Sequence, residues 1–381
     1  MDFTSTRHKP AFNTIQNRSL RFIDYPLFFV VIILLMMGLV SLFSASALYS
    51  TKEGFDTLFY TKKQALFILT GFGLMAVAAR VNLERIRPWI KPALLVTAAL
   101  LIITLFMPRV AGARRWIPLG FMKLQTSEFA KIVVVLYLAD FFDRNMSHIK
   151  ENWKELLKPL TASLVIIGLI AAAPDLGIPA LIFGVAMFMA GAAGVPLKFA
   201  LAPLLAAIPV VITEFILHPY RIERIRAMLS PWEHAKGSGY QLVQALLAVG
   251  SGGWFGKGIG ASKLKLMYLP VPHTDFIFSV VAEELGLVGG LFITGLFTAL
   301  LLKGARVARN APSLYTALAA LGLTLLISLQ AFYNIGMNIG LLPTKGIPLP
   351  FFSYGGSSIW SSMIMVGIIL NISAHRSGQK W

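Results

Sequence analysis

The chain has 381 residues, 56% of them hydrophobic and 13% charged, and a mean hydropathy of +0.72. No soluble domain buries so much apolar side chain, so lipid is the main solvent and soluble enzyme classes are excluded. A net charge of +17 would point to nucleic acid in a soluble protein. Here Lys and Arg gather between apolar runs, where they meet lipid phosphates and set orientation, so the expected partner is the membrane and no nucleic acid is expected. The absence of cysteine removes disulfides, thiolate metal sites and a Cys nucleophile.

Runs long enough to cross about 30 Å of hydrocarbon predict ten transmembrane helices, near 26–48, 64–80, 92–108, 127–142, 160–174, 177–194, 197–217, 276–302, 313–336 and 355–374. The fold class is all-α and polytopic, one membrane domain over 1–381. Ser44-Ala45-Ser46-Ala47 imitates a signal-peptidase site, but the apolar run before it is too long for a signal segment, so an uncleaved span is expected. Pro174-Asp175-Leu176-Gly177 is read as a tight turn between the fifth and sixth spans. Eighteen Lys and Arg residues fall on the side holding both termini and eight in the short loops opposite. That places residues 1–25 as a cytoplasmic tail and turns the 3–4, 7–8 and 9–10 loops outward.

The 7–8 loop, 218–275, is too long to be structureless. Ile222, Ile225 and Leu229 share one helical face beside Arg221 and Arg224, which predicts an interfacial amphipathic helix. Glycines bracket a second short helix at Tyr240–Val249.

Candidate chemistry gathers at the outward loops. Asp275, in His273-Thr274-Asp275-Phe276, stands at the mouth of the eighth span, as a helix N-cap or as a base. Glu283 and Glu284 lie two to three turns further in, as a buried ion pair or as site acids. Glu128 and Lys131 share a face of the fourth span, as an internal pair or with Lys131 directed at a phosphate. Arg114, Arg115 and Trp116 offer two guanidinium groups and an indole at the interface, suited to bidentate phosphate contacts or to a belt. Lys345 and Ser357 belong to the segment Leu341–Ser358, whose glycines and helix start suit an anion or close helix packing. The six histidines show no metal-ligand spacing, and no motif calls for a tightly bound cofactor. The sequence leaves open whether a divalent cation, Mg or Mn, assists.

At these residues the chain resembles the SEDS family (shape, elongation, division and sporulation), the FtsW and RodA membrane peptidoglycan glycosyltransferases. The motifs are Phe43–Ser46, Gly112–Ile117, Gln125–Lys131, Pro174–Gly177, Gly239–Gly260, Leu269–Gly286 and Leu341–Ser358, in family order over nearly the whole chain. Thr126 departs from the family's usual Pro, which should alter the start of the fourth helix more than the chemistry. Gly239–Gln244, Gly250–Gly256 and Leu342–Gly346 look like the division branch, FtsW. Ala282-Glu283-Glu284 and Ile347–Pro350 lean toward the elongation branch, RodA; the division branch is favoured.

The resemblance implies polymerisation of lipid II on the outer face of the bacterial inner membrane, at the division septum, from a glycan held on undecaprenyl pyrophosphate. Asp275 aligns with the family's essential acid and would be the base. Trp116, Glu128 and Lys131 fall within family motifs. By position, Arg114, Arg115, Lys131 and some of Arg221, Arg224 and Lys345 would balance the pyrophosphate charge, and His273, Glu283 and Ser357 are further candidate substrate contacts. A cognate class B penicillin-binding protein and other divisome or elongasome proteins are the implied partners. A lipid II flippase and a non-catalytic scaffold are the rival classes; paired broken helices and midplane polar groups would favour the flippase.

Overall fold

The computed structural model of the chain describes residues 24–375 apart from 109–113, 121, 152–156, 174–175, 218 and 263–272. Most of the predicted tail, Gly112, Ala113, Pro174, Asp175, Leu269 and Pro270 lie outside the described residues. The elements are α1 (Tyr25–Lys52), α2 (Phe59–Arg80), α3 (Leu83–Leu105), β1 (Trp116–Pro118), β2 (Lys123–Gln125), α4 (Thr126–Glu151), α5 (Leu157–Ala171), α6 (Gly177–Ala193), α7 (Leu197–Leu217), α8 (Tyr220–Leu229), α9 (Tyr240–Ser251), α10 (Ile277–Arg309), α11 (Leu314–Asn338) and α12 (Gly356–Ala374).

Each predicted span overlaps one helix, and the two predicted short helices are α8 and α9. Among the described residues six helices, α1 to α3 and α10 to α12, are long and apolar enough to cross a membrane. By contrast α5 and α6 have only 15 and 17 residues, and α4 carries Glu128, Lys131, Asp140 and Asp143. In α1, Leu27, Val31, Leu34 and Leu42 are buried while Phe29, Ile33, Met36, Val40 and Phe43 are exposed. A helix apolar on its exposed face as well as its buried one needs lipid as solvent. It runs unbroken through Ser44–Ala47, and Asp24 caps it by accepting from the Leu27 N–H.

The bundle is built around α11 and α12, whose apolar windows are 78% and 83% buried against 22% for α3. Helix α12 packs along α2, and α11 against α10, α4 and α6. At the start of α3, Arg87 locks it to α4 through Asp140 (2.7 Å) and Asp143 (2.6 Å) and lies over the Tyr315 ring of α11. That cluster sits at the end of α4 away from Glu128.

Helix α10 is broken at Gly286, whose φ of 68° and ψ of −167° belong to glycine. The break leaves carbonyls and N–H groups without helical partners, and the segment after α9 supplies them. Lys257 and Gly258 N–H donate to the carbonyls of Glu283 and Glu284, while Leu287 and Val288 N–H donate to those of Gly253 and Trp254. Contact this close needs bare backbone. A Cβ on Gly252, Gly256 or Gly286 would stand 2.1–2.3 Å from a backbone atom of the facing segment.

Gly286→Ala is therefore expected to lower the melting temperature of the purified protein sharply, combining strain and overpacking of about 2–6 kcal/mol. Gly295→Ala, on the same helix with no atom within 4 Å of its Cβ, should leave it unchanged or raised. Equal effects of the two would contradict the splice.

Candidate active site

Asp275 lies in the turn that leads into α10. The N-cap of that helix is Phe276, one residue after Asp275. Three successive carbonyls of this turn are held from behind. Tyr354 N–H donates to His273 O at 3.0 Å, Ser353 Oγ to Thr274 O at 2.6 Å, and Asn334 Nδ2 to Asp275 O at 2.8 Å, joined by Asn338 Nδ2 at 3.1 Å. With its backbone fixed, half-buried Asp275 turns its side chain toward Gly346. A Cβ built on Gly346 would be 3.3 Å from Asp275 Oδ2 and 3.8 Å from both Nη atoms of Arg115. The acid and the guanidinium thus meet the same small space, which glycine keeps open.

Arg115 reaches that space from the hairpin of β1 and β2, which pair antiparallel with Trp116 opposite Gln125. Ser357, at the start of α12, pins the hairpin: its Oγ accepts from Gln125 N–H at 3.0 Å and donates to Lys123 O. Ser357 therefore acts on the hairpin's backbone, and half-buried Trp116 belongs to β1. Arg114 is exposed and donates to Leu105 O at the end of α3. Thr126, where the resemblance expects Pro, is buried as the first residue of α4.

Several predicted site residues turn out to be internal. Glu128 and Lys131 are 0% exposed and pair at 2.8 Å; Glu128 also accepts from Ser361 Oγ and Lys131 donates to Gln330 Oε1. The expectation that Lys131 meets a phosphate is corrected to an intrahelical pair within the core. Arg221 is buried against Glu214 and Tyr220, not turned to the site. The apolar residues of α8 face outward instead, with Ile222 and Leu229 exposed. Glu283 takes Lys257 at 2.8 Å and Ser262 Oγ at 2.6 Å, and Glu284 takes Ser44 Oγ at 2.5 Å. Both acids lock the segment after α9 onto α10 and α1. Arg224 does approach the site: its Nη1 donates to Thr344 O at 2.8 Å, one residue before half-buried Lys345.

His273 is 2% exposed, among the rings of Tyr49, Tyr60 and Tyr354 at 4.7–5.9 Å. Burial pushes its imidazole down to about 4, with Glu53 opposing weakly, so it is neutral and braces the turn.

Sequence reading missed the amides behind the loops. Gln330, Asn334 and Asn338 stand one turn apart on α11. Beyond Asp275 O, they hold Pro348 O (2.9 Å) and Ile347 O (2.8 Å). Gln64 of α2 clamps the same loop, donating to Ser353 O and accepting from Gly355 N–H. The i, i+4, i+8 spacing on an apolar helix was the available signal. Among the described residues no three His, Cys, Asp or Glu side chains converge as metal ligands.

Two outcomes follow. Lys131→Met should cost about 3–5 kcal/mol of stability, and adding Glu128→Leu should recover much of it, because the loss comes from stranding a buried charge; a phosphate ligand would instead lose activity at unchanged melting temperature. For His273, protonation is penalised in the folded state. Stability is therefore complete above pH 6.5 and falls by about 3 kcal/mol as pH drops toward 4. Melting temperature against pH should be flatter by that amount in His273→Phe.

Comparison with known proteins places this geometry. Residues 25–378 match the FtsW/RodA/SpoVE family, described as cell cycle protein. The probable peptidoglycan glycosyltransferase FtsW of Coxiella burnetii is 41% identical over 348 residues, 89% of this chain and 93% of that protein. Stage V sporulation protein E of Bacillus subtilis is 37% identical over 358 residues, 92% and 97% of the two chains. A solved structure described as structural coordination of polymerization and crosslinking by a peptidoglycan synthase complex superposes with a TM-score of 0.78 at 27% identity, covering 94% of this chain and 100% of that one. The match runs through every helix that frames Asp275, and the chain belongs to the FtsW/RodA/SpoVE family of cell cycle proteins.

Proposed function

We propose that this protein is a peptidoglycan glycosyltransferase of the division branch, with Asp275 as general base. One observation carries the assignment of the site. The Asp275 turn is immobilised through three successive carbonyls, and its carboxylate shares the space over Gly346 with Arg115. The relatives named FtsW support the activity and the division branch over elongation.

The substrate is lipid II and the growing glycan on undecaprenyl pyrophosphate. The 4-hydroxyl oxygen of the incoming lipid II forms a bond to the anomeric carbon of the growing strand. The bond from that carbon to the pyrophosphate oxygen breaks, and undecaprenyl pyrophosphate leaves with its electron pair. Asp275 takes the hydroxyl proton. Arg115, Arg224 and Lys345, around residues 344–346, offset the charge that grows on the leaving pyrophosphate.

The proposed topology has ten spans, both termini cytoplasmic and the Asp275 end outward in the inner membrane. It rests on the cation census and the apolar exposed helix faces. A septal location and a transpeptidase partner of the class B penicillin-binding type complete the proposal, supported by the similarity to a synthase complex that couples polymerization and crosslinking. The break in α10 is a feature transporters use. Here its backbone groups are matched by residues 253–258, which favours the polymerase over the flippase.

Purified protein in vesicles with lipid II should yield glycan polymer, and Asp275→Asn should slow it by about 100-fold to 10,000-fold with melting temperature unchanged. Transbilayer movement of lipid II without polymer from the wild type would overturn the assignment, as would full complementation of a depletion strain by Asp275→Asn.

A further inference from the structure

Each amide in the α11 column has its orientation dictated by a partner that can only donate or only accept. Ser279 N–H donates to Asn338 Oδ1 at 3.2 Å, which leaves Asn338 Nδ2 facing Asn334 O at 2.8 Å, Asp275 O at 3.1 Å and Asn334 Oδ1 at 3.2 Å. Asn334 Nδ2 presents two hydrogens to two carbonyls, Asp275 O and Ile347 O, both at 2.8 Å, and because carbonyls only accept, they fix which way its amide faces. One turn away, the Lys131 ammonium donates to Gln330 Oε1 at 2.6 Å, so Gln330 Nε2 faces Pro348 O. Only a primary amide supplies two donors from one atom while accepting on the other. Asn334 is 0% exposed, and the two carbonyls it joins belong to the turn carrying Asp275 and to the loop carrying Lys345 and Gly346.

We infer that Asn334 is a positioning residue: it sets the gap between Asp275 and the 345–348 backbone, and so holds the base in register with the cations across the substrate. This rests on the glycosyltransferase reading above. The residue touches neither substrate nor proton. Its effect passes through Asp275 and through the loop, so it should govern turnover more than substrate capture. Misplacement of reacting groups by about 1 Å costs on the order of 100-fold.

The test uses full-length protein in vesicles with lipid II. Asn334→Leu removes both donors from an apolar setting, and Asn334→Ala leaves room for a water to donate in their place. The expected result is a kcat lowered about 100-fold in Asn334→Leu and less in Asn334→Ala, with KM within about threefold of wild type. A merely structural asparagine would lower folded yield and melting temperature in both while kcat per folded molecule stayed at the wild-type value. That result overturns the inference, and Asn334→Ala decides it should Asn334→Leu not fold. Because the chain has no cysteine, Thr51→Cys and Lys345→Cys can carry a spin-label pair that reports loop position without any activity. Its distance distribution should broaden in Asn334→Leu or Asn334→Ala, and an unchanged distribution overturns the clamp. Failure of the wild type to make polymer would count against the glycosyltransferase reading, with the spin-label result still deciding whether Asn334 holds the loop.

Discussion

Irregular backbone inside a lipid-solvated bundle must have its carbonyls and N–H groups matched by protein, since no bulk water is there to do it. The loops that carry Asp275 and Lys345 are such backbone, and Pro343, Pro348 and Pro350 further strip them of donors. The amide column of α11 answers this constraint. Asn334 and Asn338 take Asp275 O, Asn334 takes Ile347 O, and Gln330 takes Pro348 O. Other buried polar residues support that column. Lys131 fixes the direction of Gln330, Ser279 fixes that of Asn338, and Glu128 is the counter-charge that lets Lys131 be buried. With the carbonyls drawn inward, the Asp275 side chain lies toward Gly346 and Arg115.

The break in α10 meets the same constraint by a different route. Backbone is matched to backbone, and side chains enter only to lock the joint, through Glu283 with Lys257 and Ser262 and Glu284 with Ser44. A backbone splice holds the chains at contact distance, so it depends on Gly252, Gly256 and Gly286 having no Cβ. The amide column keeps side-chain length between helix and loop, so it depends on the hydrogen-bonding identity of its members. Glycine and asparagine are thus needed in the two places for opposite reasons.

Much of the fold was legible because hydrophobic length and helical periodicity act locally. The long helices, α8 and α9 stand where apolar runs, glycine brackets and a basic amphipathic face placed them. Asp275 was visible as an acid at a helix mouth, but whether it caps α10 depends on the backbone of Phe276, which composition does not reveal. The direction of α8 could not be read either. Its apolar and basic faces were plain, yet only the bundle shows that Arg221 turns in to Glu214 while Ile222 and Leu229 turn out. Gln330, Asn334 and Asn338 escaped notice because isolated amides on an apolar helix ordinarily serve helix–helix contacts. Their partners are carbonyls of segments distant in sequence.

The largest change concerns the cations. A census of Lys and Arg counts charge without saying which charges are already neutralised. Arg87, Lys131, Arg221 and Lys257 each meet a carboxylate at ion-pair distance, so they contribute little field beyond their own pair. Arg224 is held differently, by the carbonyl of Thr344, which orients a guanidinium while leaving its full charge. In the proposed reaction the growing pyrophosphate charge falls to the cations around residues 344–346, with Arg224 on Thr344, Lys345 itself, and Arg115 beside Gly346 and Asp275. The same segment is tied to the Asp275 turn through Asn334. Base and cations then form one frame, because a proton leaving toward Asp275 and an electron pair leaving with the pyrophosphate must be met at a fixed separation.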